Sequence, residues 1–581
     1  MTETKVQEAD VIIIGAGPAG LSLANLLGLQ GVSVIVLEQL ESLIDYPRGV
    51  GIDDESLRSL QTMGLVHAAL PYTTPSHIMR LVNGKGGLIT EIRPQTDEFG
   101  WSRRNAFIQP EIDRVLYEGL ARFENVDVQF DRRVENLVDD GESVTVTAVS
   151  GDGETYTYRA DYVVGADGGR SQTRKRMERN GVTFDGQSPA TRWLVVDIAN
   201  DPLGTPNIYL GGDPERPYVS LGLPMDIRRF EFMLFENEPD DIADDPVFLN
   251  RLLSKHVPNP SDLDIIRARA YTHHSRIASD FRQGRVLIAG DAAHLMPVWQ
   301  GQGWNSGERD ATNLAWKLGM VVKGLASPEL LDTYYQERHS HAKAMIDLST
   351  SFGYVVKPTN KVVVALRDGA AKVLNAAPPV RDYFAQMRYK PMPYYSQGVV
   401  VDAATLTPGV SDAKHGRGLH IFKSSPNKLS PVGKQFIQPK VKGADGEVRL
   451  LDDEIGNGWA VLQWGGNPER LFNEEQRDLL RRLGAKLVSI RPEVQMGLDA
   501  PKDPDAVVIG DVTGRLKTWF DGQPTSVVFL RPDRFVAAAT VTQDAGEALN
   551  GIAQALHLSE EPPGANVEVK EVAEEEVAAN V

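Results

Sequence analysis

Residues 11–20, VIIIGAGPAG, decide how the start of this chain folds. Four apolar residues, Val11 to Ile14, suit a strand buried on both faces. Gly15, Gly17 and Gly20 follow at G-x-G-x-x-G spacing, and residues 18–30 place Leu23, Leu26 and Leu27 on one helical face. A second apolar run, VSVIVLE, ends in Glu38, eighteen residues after Gly20. This strand–turn–helix–strand order is the context in which three glycines bind a dinucleotide. They allow a tight turn, close approach of backbone to a pyrophosphate, and close helix–strand packing. The helix N-terminus offers free N–H groups to the phosphates, and Glu38 can accept from ribose hydroxyls.

With 581 residues the chain is too long for one core, so two or three domains are expected. A hydrophobic fraction of 41% and a charged fraction of 24% are those of a globular protein. Sixty-one basic residues against seventy-nine acidic give a net charge of −18, which argues against a nucleic-acid or anionic-membrane surface. Part of that excess lies at the end, where residues 561–581 read as a solvated acidic tail. There is no cysteine, so disulfides, thiolate catalysis and Cys-ligated metals are excluded. No metal site is expected. The first ten residues lack the apolar core of a signal peptide, and no run approaches the ~18 apolar residues of a membrane span. A cytoplasmic location is expected.

Outward from the opening motif, strands and helices alternate as in a doubly wound α/β sheet. In the middle, TRWLVVDIAN, PNIYLGG, RPYVSLGLP and RRFEFMLFE are short strand-like runs, expected to form an inserted antiparallel sheet. Alternation of Phe230, Phe232 and Leu234 is expected to turn one face of its strand inward. RVLIAGDAAH returns the chain to the α/β style, followed by a helix expected from about Asn305 to Val322. The boundaries expected are 1–80 and 106–175 for the nucleotide-binding unit, 81–105 and 176–280 for the sheet, 281–395 for completion of the first unit with a helical region, and 396–560 for a small α/β domain.

Two further glycine motifs add chemistry. YVVGADGGRSQTRKRM places a strand before Gly165, Asp167 and Gly168, with Ser171 as a helix N-cap. In RVLIAGDAAHLMPVWQGQGWNSGERDATNLAWKL, Asp291 ends a strand, where ligands of such sheets lie. Pro297 and the Gly301-Gln302-Gly303 loop lead into a helix whose backbone N–H groups can stabilise a developing anion.

Together, GAGPAG…E, GADGGRSQTR and GDAAHLMPVWQGQGWNSGERDATNLAWKL resemble the motifs of the FAD-dependent aromatic hydroxylases, the single-component flavoprotein monooxygenases. The resemblance extends over the whole chain. It implies a Rossmann-like FAD-binding domain, an inserted antiparallel β-sheet substrate domain and a C-terminal thioredoxin-like domain. Without cysteine, that last domain is left a packing or assembly role. Residue by residue, the resemblance implies Gly15, Gly17 and Gly20 at the FAD pyrophosphate and Glu38 at the adenosine ribose. Arg48 would approach the pyrophosphate or ribityl region, and Gln109 the ribityl chain. Asp291 would take a ribityl hydroxyl, while Pro297, Gly301, Gly303 and Asn305 line the flavin. Asp167 and Gly168 are tied in the family to FAD and to nicotinamide nucleotide. No second glycine fingerprint is present for the NADH or NADPH that such enzymes use transiently.

LIDYPRGVGIDDESLR, TDEFGWSRRNAFIQPEIDRVL and YTHHSRIA look like members that act on 3-(3-hydroxyphenyl)propionate. The implied chemistry is reduction of FAD by NADH or NADPH, capture of O2 as a flavin hydroperoxide, and transfer of one oxygen ortho to the phenol. The product would be 3-(2,3-dihydroxyphenyl)propionate. A polar group near the phenol is expected; Tyr271 and His273 are the catalytic candidates, with His274 beside them. Phenol hydroxylases place an Asp where this chain has Val50 or Gly51, with Asp53 and Asp54 shifted. A propionate side chain calls for a cation, and Arg216 and Arg229 in the inserted sheet are the substrate-binding candidates. His294 is expected to be structural. A larger phenolic or polyketide substrate, and an FAD-holding sensor without turnover, are the other readings. The partners expected are a small phenolic acid and O2, with a homodimer possible.

Overall fold

The computed structural model describes residues 6–188, 191–401, 430–498 and 506–559; the acidic tail 561–581 and residues 402–429 lie outside them. Val11–Ile14 are all buried, and the strand Gln7–Ile14 runs parallel between Val34–Leu37 and Thr155–Gly165. Val126–Gln129 and Val286–Ile288 extend this sheet on its two sides, again parallel. The helices Pro18–Gly28 and Gly303–Val322 pack together on one face. The hairpin of Arg133–Asp139 and Val144–Val149 shares an apolar core with Ile12, Ile14 and Ile35 on the other. An open parallel sheet binds ligands beyond the carboxyl ends of its strands. Here those ends are Ile14, Leu37, Gly165 and Ile288, so the three glycine motifs, far apart in sequence, meet at one edge.

A second sheet runs in the order Ile265–Thr272, Arg192–Ala199, Ile227–Leu234, Tyr218–Leu223, Ile208–Gly212, Met79–Asn83, Leu88–Ile92. Its neighbours are antiparallel, except that Ile208–Gly212 and Met79–Asn83 are parallel. Alternation along Ile227–Leu234 holds, but the inward face is the other one. Phe230, Phe232 and Leu234 pack under the helix Pro246–Leu253 with Phe248 and Leu249. Arg229, Glu231 and Met233 therefore turn toward the first unit. The larger rings go where a helix can cover them completely, leaving the polar set for the cleft.

The helix expected from Asn305 starts at Gly303. Gly301, at φ +63°, turns in the left-handed region, and Gly303, expected in the loop, is already helical. The C-terminal unit is a thioredoxin-like α/β fold. Parallel Ala460–Trp464, Lys486–Pro492 and Ala506–Asp511 are joined by antiparallel Val527–Leu530 and Val536–Thr540. It is locked to the first unit by buried ion pairs. Arg58 grips Asp452 at 2.6 and 2.8 Å, and Arg531 grips Glu337 at 2.7 Å.

Candidate active site

The glycine loop is shaped to leave a space. A Cβ on Gly15 would lie 2.5 Å from the Ala166 carbonyl oxygen and one on Gly20 2.1 Å from that of Gly15, whereas one on Gly17 meets nothing within 4 Å. Gly17 is the N-cap of Pro18–Gly28 and offers no side chain to its first turn, so those N–H groups face the open space. Glu38, at the end of the next strand, accepts from the Ala16 N–H at 2.9 Å with Oε2 and from the Leu40 N–H at 2.9 Å with Oε1. Its carboxylate therefore stands at the loop, where it would meet the ribose of a bound nucleotide.

Across this edge Asp291 is exposed to the cleft yet surrounded by protein, and loss of bulk water raises its pKa against the pull of His294 and Arg48. Arg48 is exposed on the segment facing it. That segment is held by Gln109, whose Oε1 accepts from the N–H groups of Arg48 and Gly49 at 3.0 and 2.5 Å. Gln109 donates in turn to Asp113 at 3.0 Å. Gln109 thus positions the Arg48 segment rather than reaching out by itself.

Asp167 has its carboxylate on the next helix. It accepts from the backbone N–H groups of Gln172 and Thr173 at 2.8 and 3.1 Å, and from Ser171 Oγ. Ser171 caps the Arg174 N–H at 2.9 Å, as its spacing suggested. Arg174 then donates to the carbonyls of Gly169 and Ala292 at 2.9 and 3.0 Å, tying this motif to the Asp291 loop. Gly168, at φ +74°, leaves open space where a Cβ would stand.

The third motif carries a helix with no side-chain cap. Gln302 is the N-cap of Gly303–Val322, and the first N–H groups of that long helix have no partner within it. Pro297 is buried just before this turn. The Asn305 side chain is fully engaged elsewhere. It donates to the carbonyls of Gly51 and Gly301 at 2.9 and 2.7 Å and accepts from the Asp53 N–H and Ser56 Oγ at 2.9 and 2.8 Å. Only its backbone is left for a ligand. An open glycine cradle, a pendant acid and an uncapped helix N-terminus on one edge are the donor set that a pyrophosphate, a polyol and an anionic ring edge require. The residues fit FAD.

His294 is buried behind this edge. Its Nε2 lies 2.7 Å from Asp310, which also accepts from Arg338 at 2.8 Å. Burial raises the Asp310 pKa, but His294 and Arg338 outweigh it and hold it down to about 2. This triad supports the strand end from below. Asp53 and Glu55 are paired with Arg309 and Lys390, and Asp54 with Arg103 at 3.1 Å, so this acidic cluster is neutralised internally.

Against the segment 296–299 that leads into the Gly301–Gly303 turn stands the inward face of the second sheet. Trp193, Met233, Tyr271, Val50, Met296 and Trp299 pack in one cluster. Tyr271 donates its hydroxyl to Glu231 at 2.7 Å, and His273 Nε2 lies 3.1 Å from the same hydroxyl. His273 stacks on Trp193, ring centroids 5.8 Å apart, and meets Trp299 edge-on at 5.3 Å. Burial lowers the His273 pKa to about 3, so the imidazole is neutral. Burial and Glu231 together raise the Tyr271 pKa well above its ordinary value. Burial also raises that of Glu231, opposed by Arg229. His274 lies apart, bonded to Ser188 at 2.8 Å. Sequence reading passed over Glu231, although a lone acid at every-second-residue spacing with Arg229 and Met233 was the available signal.

Neither arginine chosen from the sequence is a free cation. Arg216 holds Glu238 at 2.6 and 2.9 Å and the Met233 carbonyl at 2.7 Å. Arg229 is buried, paired with Asp197 at 2.7 and 2.9 Å, and donates to the Pro47 carbonyl at 2.7 Å. Both were expected to meet a substrate carboxylate; carboxylates of the chain already occupy them. Arg229 instead fastens the Arg48 segment to the sheet.

The comparisons with known proteins agree with this geometry. A family described as FAD binding domain matches residues 8–349, and one described as HcaD C-terminal domain matches residues 433–555. A 3-(3-hydroxy-phenyl)propionate/3-hydroxycinnamic acid hydroxylase of Mycolicibacterium gilvum is 51% identical over 96% of this chain and 93% of its own length. The protein of the same name from Escherichia coli O8 is 48% identical over 97% of each chain. In fold, the flavin-dependent monooxygenase PieE, solved with FAD and substrate, superposes with a TM-score of 0.75 at 21% identity, covering 95% of this chain and 99% of its own. Aklavinone-11 hydroxylase, solved with FAD and aklavinone, gives 0.72 at 22%, covering 95% and 100%. The three glycine motifs meet at one sheet edge, and with these relatives the chain belongs to the FAD-dependent aromatic hydroxylases, enzymes of the flavoprotein monooxygenase class.

Proposed function

We propose that this enzyme hydroxylates 3-(3-hydroxyphenyl)propionate ortho to its hydroxyl, giving 3-(2,3-dihydroxyphenyl)propionate, with O2 and NADH. The names of the relatives at about half identity support the substrate. The observation that carries the chemistry is the Glu231–Tyr271–His273 cluster, packed against Trp299 of the flavin loop. Bound FAD supplies electron transfer and oxygen activation; the chain supplies orientation, a dry pocket and control of the phenol proton.

A phenol is more nucleophilic at its ortho carbon as its proton leaves. Tyr271 is too weak an acid to stand as a phenolate base by itself. It can take the substrate's proton at Oη while passing its own to Glu231 Oε2, in one concerted shift that leaves Tyr271 neutral and Glu231 protonated. Neutral His273 steadies the Tyr271 hydroxyl from the other side. Trp193 and Trp299 exclude water around the ring.

The test is NADH consumption with hydroxyphenylpropionate, with the product identified and counted against NADH. One catechol per NADH is expected, with NADPH the poorer reductant. Turnover of only bulkier phenols would replace the substrate reading, and an FAD-loaded protein that oxidises no NADH with any phenol would end it. A cytoplasmic location belongs to the same reading; among the described residues no helix is long and apolar enough to cross a membrane. So does a homodimer. Helix Lys361–Asn375 leaves Val362, Leu366 and Val373 about 70% exposed, and sedimentation of wild type against Leu366→Glu tests whether a second copy covers them.

A further inference from the structure

Most buried arginines among the described residues meet carboxylates. Arg58 pairs with Asp452, Arg228 with Asp201, Arg229 with Asp197, Arg338 with Asp310 and Arg531 with Glu337. Arg104 does not. It is 9% exposed, its Nε is buried without a partner, and its guanidinium makes no hydrogen bond or ion pair with any described residue. Burial lowers its pKa, Tyr389 opposes this, and no carboxylate stands against it among the described residues. A buried cation left this way is costly unless an anion arrives.

The position of Arg104 says where that anion belongs. In the strand Arg104–Phe107, side chains alternate. Phe107 joins the core of the first unit, while Ala106 and the following Ile108 join the cluster that holds Trp193, Trp299 and Tyr389. Arg104 shares the Ala106 side. Two further buried donors there lack partners, the Tyr389 hydroxyl and Gln300 Nε2. Tyr389 lies within electrostatic reach of Arg104, and Gln300 approaches the Tyr389 hydroxyl. Gln300 ends the short turn Val298–Gln300, so the three donors come from separate segments of the chain. Tyr271 packs against the same apolar cluster.

We propose that Arg104, Tyr389 and Gln300 form the subsite that binds the carboxylate of a phenolic acid substrate. This rests on the reading of the substrate given above and adds which residues select an acid. A carboxylate offers its two oxygens to the guanidinium fork and its remaining lone pairs to the hydroxyl and the amide, giving all three donors an acceptor. With the side chain fixed there and the phenol at Tyr271, the ring has one orientation before the flavin loop. The acid is thereby chosen over neutral phenols, since without it the guanidinium stays unpaired.

The experiment compares 3-(3-hydroxyphenyl)propionate with its neutral amide on the FAD-loaded protein. Dissociation constants are read from the change in bound-flavin absorbance, with KM, kcat and peroxide release measured beside them. Arg104→Met should weaken binding of the acid on the order of 100-fold, as loss of a buried charge-assisted pair does, and leave the amide unchanged. Arg104→Lys should restore part of the acid's affinity. Tyr389→Phe and Gln300→Met, which keep the cation, should each weaken the acid several-fold and spare the amide, whatever Arg104→Met does to folding. Equal effects on acid and amide, or none on the acid, overturn the subsite while leaving the substrate reading intact. If wild type ignores hydroxyphenylpropionate but binds another aromatic acid through Arg104, the subsite stands and the substrate reading falls.

Discussion

A Cβ at Gly20 would sit 2.1 Å from a backbone oxygen, while one at Gly17 would enter empty space. The two residues are three apart in one motif, yet their substitutions should fail differently. Gly20→Val should not fold, because backbone cannot yield at that distance. Gly17→Val should fold, with a circular dichroism spectrum and Tm close to wild type, and purify without flavin, because its side chain fills the space open to the pyrophosphate. Yellow Gly17→Val protein would remove the loop from cofactor binding. Asp291→Ala belongs beside it. Its carboxylate has no hydrogen bond within the described residues to lose, so flavin retention should fall while stability holds.

At the scale of the element, the strand Ile227–Leu234 shows what a period of two leaves open. It puts Arg229, Glu231 and Met233 on one face and Phe230, Phe232 and Leu234 on the other, and either face could be the inner one. The helix Pro246–Leu253 settles the matter by covering the rings. Glu231 then reaches Tyr271 across the intervening strand. Since burial raises the Glu231 pKa, it is protonated at low pH and unable to accept. Hydroxylation should rise with pH through that raised pKa, above the ordinary 4.5 of a glutamate. Glu231→Gln should lower the rate of hydroxylation about 100-fold and flatten this limb, the scale of a lost general base. Tyr271→Phe should do the same without changing the affinity for FAD. A profile in Glu231→Gln that keeps its acid limb would assign the titration elsewhere.

Over the whole molecule, the C-terminal unit is packed against the cofactor-binding unit through buried charges and rings. Arg531 sits with Glu337 and Asp533, all buried, and Trp316 meets Trp459 edge-on at 5.7 Å. Burial raises the Glu337 pKa, but Arg531 and Lys317 outweigh burial and hold it to about 2, against an ordinary 4.5. A carboxyl depressed on folding stabilises above its unfolded pKa, so this contribution is complete above about 4.5 and lost as pH falls toward 2. Arg531→Met takes the guanidinium from two buried carboxylates, leaving Glu337 to Lys317 and Asp533 without a cation, and should cost about 3–5 kcal/mol at neutral pH. The deficit should shrink on mild acidification, when Glu337 can be neutralised. Denaturation at two pH values measures both, and a deficit independent of pH would mean that packing, not charge, holds the units together.

The motifs made the cofactor site legible because its chemistry is local. A glycine turn, a following helix and an acid at the next strand end are fixed by spacing along the chain, and Gly15, Gly17, Gly20 and Glu38 stand together for that reason. Parallel pairing of Gln7–Ile14, Thr155–Gly165 and Val286–Ile288 then brings the other two motifs to the same edge, which the apolar runs before each motif already implied. Charges were not legible in this way. Arg216, Arg229 and Arg104 are alike in sequence, each an arginine in a strand-rich stretch. Which one keeps a free guanidinium depends on Glu238 and Asp197, distant carboxylates that only folding delivers. Spacing along one element decides backbone geometry, whereas pairing of buried charges is decided between elements, so the sequence by itself determined the glycine cradle and the tertiary structure alone decided which cation is left unpaired and which acid meets Tyr271.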